Sequence, residues 1–369
     1  MAKTIGVIGG GQLARMMVTP AQQLGINLRV LAETEDASAR IAASVVGDYR
    51  DLATVSDFAK TVDVITFDHE HVPLEILEVL EAQGHDIQPS PSALRFAQNK
   101  LAMRQRLTEL GLPVPNWAEV KSAEEIEKFL SNFGPEAILK TPTGGYDGKG
   151  VMVISDPEQA KPWFEKFEVL LIEEKVAFVR ELAQLSARNI SGEWLAWPVV
   201  ETIQRNGVCS EVHSPAKNAD EKKAAELARQ IAEGLGVTGV LAVEMFETSD
   251  GKLLVNELAM RPHNSGHFTI EGSRTSQFEQ HLRAVSDLPL GITSATKAYA
   301  VMLNLLGVDD SNTFIEHYPV ALQIVGAHIH TYGKSARQGR KMGHITALSD
   351  SSLEDAKEIA QKAKQALHA

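Results

Sequence analysis

The segment VLAVEMFETSDGKLLVNEL, residues Val240–Leu258, consists of two apolar runs joined by a short polar stretch. Asp250 and Gly251 form a dipeptide strongly favoured at the centre of a two-residue hairpin turn, so we predict an antiparallel β-hairpin. In that register the residues on either side of the dipeptide face each other, and Glu244 then lies opposite Glu257. The hairpin therefore places two carboxylates side by side.

Two facing carboxylates repel each other. Their Cβ atoms would lie about 5 Å apart on one face of a largely apolar hairpin, which destabilises the sheet unless a cation lies between them. Carboxylates combined with the phosphate oxygens of a nucleotide are common ligands of magnesium. We therefore predict that Glu244 and Glu257 bind Mg²⁺. The alternative is a β-bulge or a slipped register that separates the two side chains.

A glycine-rich loop forms the second informative segment. It reads TPTGGYDGKG over residues 141–150 and follows a predicted strand, Ala137–Lys140. Its glycines let the backbone approach a ligand closely, and Lys140 and Lys149 bring ammonium groups to the place where phosphates would bind. A plain hairpin connection needs only about two to five residues. We predict a flap that covers the phosphates of a nucleotide, with an ordinary loop as the alternative.

The N-terminus carries a pattern typical of dinucleotide-binding folds. Gly9–Ala14 matches Gly-x-Gly-x-x-Ala after a predicted strand, and Glu33 ends the next strand, where an acidic residue can bind a ribose. An NAD-dependent oxidoreductase is therefore one hypothesis. However, amides at a helix N-terminus favour any phosphate, and this hypothesis leaves residues 140–267 unexplained.

Strand and helix patterns alternate through the first hundred residues, which predicts a doubly wound parallel sheet with crossover helices. Residues 92–110 are predicted to form one helix, which the prolines at 113 and 115 end. We place a domain boundary there. The predicted N-terminal α/β domain spans 1–112, a small lid domain spans 113–179, and a C-terminal catalytic domain of mixed α+β structure spans 180–369.

The composition is that of a water-soluble globular protein, since 44% of the 369 residues are hydrophobic and 23% are charged. A net charge of −12 argues against extensive binding to nucleic acids, whose phosphates attract basic surfaces. With one cysteine, Cys209, no intrachain disulfide or multi-cysteine zinc site can form. There is no signal-peptide pattern and no apolar run of membrane-spanning length, so we expect a cytoplasmic protein that binds no membrane.

Five strings of sequence together resemble a known group of ligases: GGGQLARM (Gly9–Met16), TGGYDGKG (Thr143–Gly150), NELA (Asn256–Ala259), RPHNSGH (Arg261–His267) and GRKMGH (Gly339–His344). They resemble the ATP-grasp superfamily, whose members join a carboxylate to an amine through an acyl phosphate. Within it, the chain most resembles the family of 5-(carboxyamino)imidazole ribonucleotide synthases of purine biosynthesis, over nearly its whole length. The NELA string is general to the superfamily, whereas HNSGH and GGYDG are specific to this family.

The resemblance implies an ATP-grasp fold and the carboxylation of 5-aminoimidazole ribonucleotide by bicarbonate. ATP is converted to ADP and phosphate by way of carboxyphosphate. The implied cofactors are ATP and Mg²⁺, the implied partners are these small molecules, and the implied assembly is a homodimer.

For ATP, the resemblance implies that the glycine-rich loop covers the phosphates, that residues 173–176 contact the adenine edge, and that Glu181 binds the ribose hydroxyls. The implied nucleotide-binding residues are Lys100, Lys140, Gly145, Tyr146, Asp147, Gly148, Lys149, Gly150, Glu173, Glu174, Lys175, Val176, Glu181, Gln204, Asn256 and Glu257, with Glu244 and Glu257 as the magnesium ligands. The family more often has arginine at position 100.

For the ribonucleotide and bicarbonate, the implied binding residues are Gln12, Tyr146, Asp147, Arg261, His263, Asn264, Ser265, Lys334 and Arg340. Three of these are expected to be catalytic: Asp147, Arg261 and Lys334. The Arg261 guanidinium suits a bicarbonate by its bidentate geometry. Lys334 and Arg340 belong to a basic cluster suited to a ribose phosphate, for which a solvated basic loop is the alternative.

Other functions remain open at this point. Another ATP-grasp ligase, such as a formate-dependent glycinamide ribonucleotide transformylase or a biotin carboxylase, would share the acidic pair but not the HNSGH string. A protein that binds a nucleotide as a sensor but catalyses no reaction would give no function to Arg261 and Lys334. His263 with His267, or His69 with His71, would suit zinc if a third ligand lay close by.

Overall fold

The computed structural model describes residues 3–145, 150–205, 207–310 and 314–368, which fold into three β-sheets with helices packed around them. Each predicted domain contains most of one sheet, although the predicted boundary at 179/180 falls inside a strand that begins at Phe178. The domain boundaries stay a prediction. None of the helices within the described ranges combines the length and apolar character needed to cross a membrane.

The first sheet is built from alternating strands and helices. In chain order they are β1 (Thr4–Ile8), α1 (Gln12–Gln23), β2 (Asn27–Ala32), β3 (Ala43–Val46), α2 (Leu52–Ala59), β4 (Val64–Phe67) and α3 (Leu74–Ala82). All four strands are parallel, in the order β3-β2-β1-β4, which confirms the predicted doubly wound sheet. Strand β3 was not predicted, because this edge strand has no buried residue and lacks the apolar run of a buried strand.

The single helix predicted over residues 92–110 is wrong. Two helices, α4 (Pro91–Gln98) and α5 (Lys100–Glu109), meet at Asn99, whose φ of −126° and ψ of 108° are extended. The Asn99 side chain accepts a hydrogen bond from the Ala102 amide at 3.0 Å and so caps α5. The break brings Lys100 to a helix N-terminus, where its amide donates to the Pro142 carbonyl at 2.8 Å.

The second sheet is small and antiparallel. Its region comprises β5 (Trp117–Val120), α6 (Ala123–Phe133), β6 (Ala137–Lys140), β7 (Val151–Ile154), α7 (Lys161–Phe164) and β8 (Leu170–Glu174), with strand order β5-β8-β6-β7. The glycine-rich loop joins β6 to β7, which are paired neighbours. Lys140 therefore lies at the end of a strand in the middle of the sheet, beside the loop.

The third sheet has nine strands and takes up most of the remaining chain. Its region comprises β9 (Phe178–Arg188), β10 (Trp194–Ala196), β11 (Val200–Arg205), β12 (Val208–Ser214), α8 (Glu221–Gly234), β13 (Gly239–Thr248), β14 (Leu253–Ala259), α9 (Thr269–Gly272), α10 (Gln277–Val285), β15 (Tyr299–Leu306), α11 (Tyr318–Ala321), β16 (Ala327–Thr331), β17 (Lys341–Ser349) and α12 (Leu353–Leu367). The strand order is β14-β13-β9-β11-β12-β15-β17-β16, and β10 pairs with β9.

His281 on α10 joins the first sheet to the third. Its Nδ1 accepts a hydrogen bond from the Val240 amide at 3.1 Å, so Nε2 carries the proton that it shares with Thr66 Oγ1 at 2.7 Å. Burial lowers the pKa of His281 to about 3. The imidazole is therefore neutral at physiological pH, which the bond from Val240 requires.

We expect the titration of His281 to contribute to acid denaturation. Between pH 6.5 and about 3 the unfolded chain binds a proton at this position that the folded protein does not, so stability is complete above pH 6.5 and declines as the pH falls. His281→Gln keeps a donor and an acceptor but removes the titration. Urea unfolding from pH 7 to 5 should then show a pH dependence smaller by up to about 1.4 kcal/mol per pH unit. The exposed His328, changed to Gln, is the control; equal slopes for both variants would contradict the assignment.

Candidate active site

The hairpin of β13 and β14 brings Glu244 directly opposite Glu257, as predicted. The turn itself differs from the prediction. It has three residues rather than two, residues 249–251, because the Thr248 amide donates to the Lys252 carbonyl at 3.0 Å. A β-bulge between Glu244 and Met245 then shifts the pairing by one residue and restores the opposition. The alternative of a bulge that separates the two carboxylates is therefore wrong.

The extra residue of the bulge is Asn256, which precedes Glu257 directly. Both side chains are partly exposed, whereas strict alternation along a strand would bury one of them. Asn256 Oδ1 accepts a hydrogen bond from Lys140 Nζ at 3.2 Å, and Glu257 Oε1 lies 2.6 Å from Lys100 Nζ. The bulge thus turns two consecutive polar side chains toward the two lysines predicted to bind phosphates.

The two carboxylates have different electrostatic surroundings. Burial would raise the pKa of Glu257, but Lys100 and Lys140 outweigh it and hold this pKa below its usual value. Burial, followed by repulsion from Glu257 and Glu181, raises the pKa of Glu244 to about 7. The pair therefore carries negative charge that the protein only partly compensates.

This donor set fits a magnesium ion. Hard carboxylate oxygens suit Mg²⁺, which usually takes its remaining ligands from water and substrate phosphates rather than from a complete protein cage. No group of three or more potential ligands among His, Cys, Asp and Glu occurs within the residues that the structure describes. Two opposed carboxylates beside the two lysines predicted to bind phosphates match the partial protein site of a metal–nucleotide complex.

Arg104 was not predicted, and it connects three elements of this region. Its buried guanidinium donates to Glu173 Oε1 at 2.6 Å and to the carbonyls of Val255 and Asn256 at 2.7 and 2.8 Å. Lys140 Nζ lies 2.7 Å from the other carboxylate oxygen of Glu173. The sequence signal that was available is the spacing from Lys100, because residues four apart lie on one face of a helix.

Glu173 is therefore an internal ion-pairing residue. Burial by itself would raise the pKa of Glu173, but Lys140 and Arg104 outweigh it and hold this pKa below its usual value. The neighbouring side chains are also engaged, since Glu174 accepts from Asn116 at 2.8 Å and Lys175 lies 2.7 Å from Glu136. Glu173, Glu174 and Lys175 thus each have a partner of opposite charge or a hydrogen-bond partner in the protein.

Two further residues of the predicted nucleotide site lie on neighbouring strands. Glu181 on β9 pairs with Thr202 on β11 and with Phe246 on β13. Burial raises the pKa of Glu181, and a hydrogen bond with Gln204 opposes this shift. Glu181 thus lies near the acidic pair, and its charge contributes to the raised pKa of Glu244.

The glycine-rich loop is described only at its two ends. Gly150 has a φ of +69°, and a Cβ added there would lie 2.5 Å from Thr141 Oγ1, so this position needs glycine. The Thr141 amide donates to the Gly150 carbonyl at 2.9 Å, which closes the base of the loop beside Lys140. The predictions for Tyr146, Asp147, Gly148 and Lys149 fall outside the described residues.

His263 connects the acidic pair to the RPHNSGH segment. Its Nδ1 accepts from the Ser265 amide at 3.4 Å and lies 2.9 Å from Ser265 Oγ, so Nε2 bears the proton and lies 3.4 Å from Glu244 Oε1. Burial, with Arg261 as the next cause, lowers the pKa of His263 to about 3. His263 is thus a neutral residue between a carboxylate and a guanidinium.

Asn264 and Arg261 offer donors to a ligand. Both side-chain polar atoms of Asn264 are buried without a hydrogen-bond partner among the described residues, whereas Nε of Arg261 makes no hydrogen bond there but forms an ion pair with Glu70. Buried polar groups are normally satisfied, so such atoms in a cleft point to a ligand or to ordered water. Glu70 Oε2 lies 3.5 Å from Arg261 Nε, and Glu70 Oε1 accepts from the Met260 amide at 2.6 Å.

The predicted substrate residues from the two ends of the chain meet. Lys334 Nζ donates to Gln12 Oε1 at 2.5 Å, although the two residues are 322 positions apart. Arg340 lies in the same connection between β16 and β17, and its guanidinium donates to Ser335 Oγ at 2.8 Å. The basic cluster therefore borders the N-terminal end of α1.

The glycine motif at the N-terminus accommodates side chains of the protein itself. Asp68, directly after β4, accepts from the Ala14 amide at 2.8 Å, and a Cβ on Gly11 would lie 2.0 Å from Asp68 Oδ2. Glu33 accepts from the Gly10 amide at 3.1 Å, and its hydrogen bond with His69 is the main cause that lowers the pKa of Glu33 to about 2. The acid of the dinucleotide hypothesis is thus bound to the loop instead of being directed at a ribose.

The histidines of the zinc hypothesis have protein partners. His69 Nε2 lies 3.2 Å from Glu33 Oε1, and His267 Nδ1 lies 3.0 Å from Gln277 Nε2. His263 pairs with Ser265 and Glu244 as described above. These contacts engage three of the four histidines, whereas Nε2 of His267 is buried without a hydrogen-bond partner among the described residues. Neither histidine pair belongs to a group of three possible metal ligands within those residues.

Three family models match the chain. They describe a ribonucleotide synthetase preATP-grasp domain over residues 1–98, an ATP-grasp domain over 105–278 and a phosphoribosylaminoimidazole carboxylase C-terminal domain over 300–359. N5-carboxyaminoimidazole ribonucleotide synthase of Mycobacterium tuberculosis is 46% identical over 381 residues, which cover 100% of this chain and 88% of that protein.

Solved structures agree with these matches. Carboxyaminoimidazole ribonucleotide synthase from Aspergillus clavatus complexed with ATP is 35% identical with a TM-score of 0.90, covering 100% of this chain and 98% of that chain. A complex of the enzyme from the same fungus with ADP and 5-aminoimidazole ribonucleotide is 35% identical with a TM-score of 0.89, covering 100% and 99% of the two chains. The predicted ATP-grasp fold is confirmed.

Removal of the Arg104 guanidinium should destabilise the protein strongly. Arg104→Met leaves the buried Glu173 carboxylate and two backbone carbonyls without their donor, so we expect the free energy of unfolding to fall by about 3–5 kcal/mol. Urea denaturation measures this change. Arg106 on the same helix is the matched control because it is half-buried, pairing with Glu109 at 3.1 Å and donating to the Gly234 carbonyl at 3.3 Å, and Arg106→Met should cost about 1 kcal/mol or less. Similar losses for both variants would contradict the role assigned to Arg104.

Proposed function

The chain belongs to the family of N5-carboxyaminoimidazole ribonucleotide synthases, and from this membership we propose how the residues of its cleft carry out the family's reaction. The protein is an ATP-grasp ligase that carboxylates 5-aminoimidazole ribonucleotide with bicarbonate and ATP in purine biosynthesis. One observation carries the assignment of residues. Glu244 opposes Glu257, which lies against Lys100, and His263 lies 3.4 Å from Glu244 and near enough to Arg261 for that charge to lower its pKa.

ATP binds where Lys100 and Lys140 meet the hairpin. In the structure both ammonium groups contact side chains of the hairpin, Glu257 and Asn256. The phosphates of ATP attract both lysines, and this attraction competes with their present contacts. Glu244 and Glu257 would hold Mg²⁺, which would neutralise negative charge on the phosphate oxygens.

Bicarbonate binds beside Arg261 and His263. Its oxygen attacks the γ-phosphorus of ATP, the bond to ADP breaks, and carboxyphosphate forms. The Arg261 guanidinium is planar and presents its donors in the arrangement that two oxygens of a bicarbonate require. Neutral His263 can donate a hydrogen bond from Nε2 without adding charge, because burial keeps its pKa far below neutrality.

The ribonucleotide binds across the cleft, between the N-terminal sheet and the basic segment. Lys334 and Arg340 supply positive charge for its phosphate, and Gln12 orients Lys334. The exocyclic amine attacks the carbonyl carbon of carboxyphosphate, phosphate leaves, and the amine loses a proton. We assign that proton transfer to Asp147, on the family resemblance alone.

The homodimer and the cytoplasmic location also belong to this proposal. The family resemblance supports the first. The single cysteine, Cys209, suits a reducing compartment and supports the second.

Phosphate release from ATP tests the proposed reaction against the other ATP-grasp ligases. We expect release only when 5-aminoimidazole ribonucleotide is present, with a dependence on added bicarbonate. Glycinamide ribonucleotide with formate, and biotin, serve as matched substrates that should give no release above background. ATP hydrolysis that is indifferent to the aminoimidazole ribonucleotide, or that responds to one of the other substrates, would rule out the assignment of substrate.

Glu257→Gln tests the acidic pair. The substitution removes one magnesium ligand and the partner of Lys100, so we expect kcat/KM for ATP to fall by at least about 100-fold. The Mg²⁺ concentration that gives half-maximal activity should rise as well. Asp250→Asn, in the exposed turn of the same hairpin, should leave both quantities unchanged. A Glu257→Gln variant with an unaltered Mg²⁺ dependence would exclude Glu257 as a ligand.

A further inference from the structure

Tyr332 is a fully buried residue of the connection between β16 and β17, and no role in binding or catalysis has so far been assigned to it. It lies two positions before Lys334 in the sequence. The Tyr332 hydroxyl lies 2.8 Å from Nδ1 of His344 on β17. Ring and hydroxyl therefore have a fixed position on the third sheet.

The backbone around Tyr332 is also fixed. Its amide donates to the Met342 carbonyl at 2.9 Å, and its carbonyl accepts from Ser38 Oγ at 2.5 Å. Arg15 on α1 donates to the preceding carbonyl, of Thr331, at 3.2 Å. The segment that carries Lys334 is thus attached to the first sheet as well as to the third.

The Lys334 ammonium lies 5.4 Å from the centroid of the Tyr332 ring, within the range of a cation–π contact. It also donates to Gln12 Oε1 at 2.5 Å. The ring face and the amide oxygen both attract an ammonium through partial charges, so neither of these two contacts is an ion pair.

We propose that Tyr332 is a positioning residue: its ring face holds the Lys334 ammonium in the orientation that binds the anionic ribonucleotide. Complete burial holds the ring in place, the hydrogen bond to His344 adds to this support, and the ring face then positions the lysine. Burial, followed by the neighbouring His267 and His330, keeps the pKa of His344 well below its usual value, so this support stays neutral. The inference rests on the proposed function only in the identity of the ligand that Lys334 binds.

Two substitutions separate the ring from the hydroxyl. Tyr332→Phe keeps the ring and removes the bond to His344, so it should lower the melting temperature but change the Kd of 5-aminoimidazole ribonucleotide by less than about twofold. Tyr332→Leu removes the ring face, and we expect the Kd of the ribonucleotide to rise by about 2- to 30-fold. The Kd of ATP, which binds elsewhere in the cleft, should not change. Isothermal titration calorimetry of the full chain measures both constants.

A double-mutant cycle with Lys334→Met tests whether Tyr332 acts through the lysine. On the Lys334→Met background, Tyr332→Leu should give no further rise in the Kd of the ribonucleotide. The same fold-change on both backgrounds would show that Tyr332 affects binding independently of Lys334, and would overturn the proposal. An equal weakening of ATP binding would do so as well, because it would indicate a general structural role.

A second measurement does not depend on the substrate. Reductive ¹³C-methylation of the lysines gives an NMR signal for Lys334, identified by its loss in Lys334→Met. A methylammonium group over an aromatic face is shifted upfield by the ring current, so we expect this shift in the wild type and in Tyr332→Phe but not in Tyr332→Leu. An identical signal in Tyr332→Leu would overturn the contact. If the wild type binds no aminoimidazole ribonucleotide, the proposed function fails, and this signal still decides the positioning role.

Discussion

Repulsion between Glu244 and Glu257 is the constraint on which the rest of the cleft depends. A hairpin with two facing carboxylates is stable only if other groups supply positive charge. Here Lys100 reaches Glu257 from α5, and Lys140 reaches the adjacent Asn256 from the small sheet. The two lysines that reduce the repulsion thus come from outside the hairpin. The charge of the two glutamates therefore favours a fold in which α5 and the small sheet pack against this hairpin.

The opposition of the two glutamates could be predicted from the sequence, although the predicted turn was wrong. A three-residue turn displaces the register by one residue, and the bulge at Asn256 displaces it back. Turn residues are recognisable because Gly251, with a φ of +74°, needs a backbone conformation that few residues adopt. A bulge has no such local signal. The bulge turns Asn256 and Glu257 toward Lys140 and Lys100, and these contacts form only in the folded protein.

Other parts of the site could not be predicted because they depend on contacts between distant segments. The pattern of apolar residues continues through Asn99, so one helix was predicted, whereas the folded chain breaks there and the amide of Lys100 bonds to Pro142. Arg104 resembles an ordinary helix-surface arginine until the small sheet and β14 cover it. The nearness of Gln12 to Lys334 had only the family resemblance to suggest it. Local patterns therefore predict the opposition of Glu244 and Glu257 better than the contact between Gln12 and Lys334.

The glycine motif of α1 shows why a local pattern can fit two functions. Backbone amides at the start of this helix favour any negative charge, so the motif alone does not distinguish a dinucleotide from a carboxylate. The residue after β4 makes the difference: Asp68 fills the space that Gly11 leaves and caps the helix, while Glu70, two residues later, binds the amide of Met260. The carboxyl edge of the parallel sheet, which in dinucleotide-binding folds receives the cofactor, is thereby joined to the third sheet beside Arg261. A strand–glycine–helix pattern with an acidic residue at the position of Asp68 should therefore be interpreted first as an internally capped helix, and only then as a cofactor site.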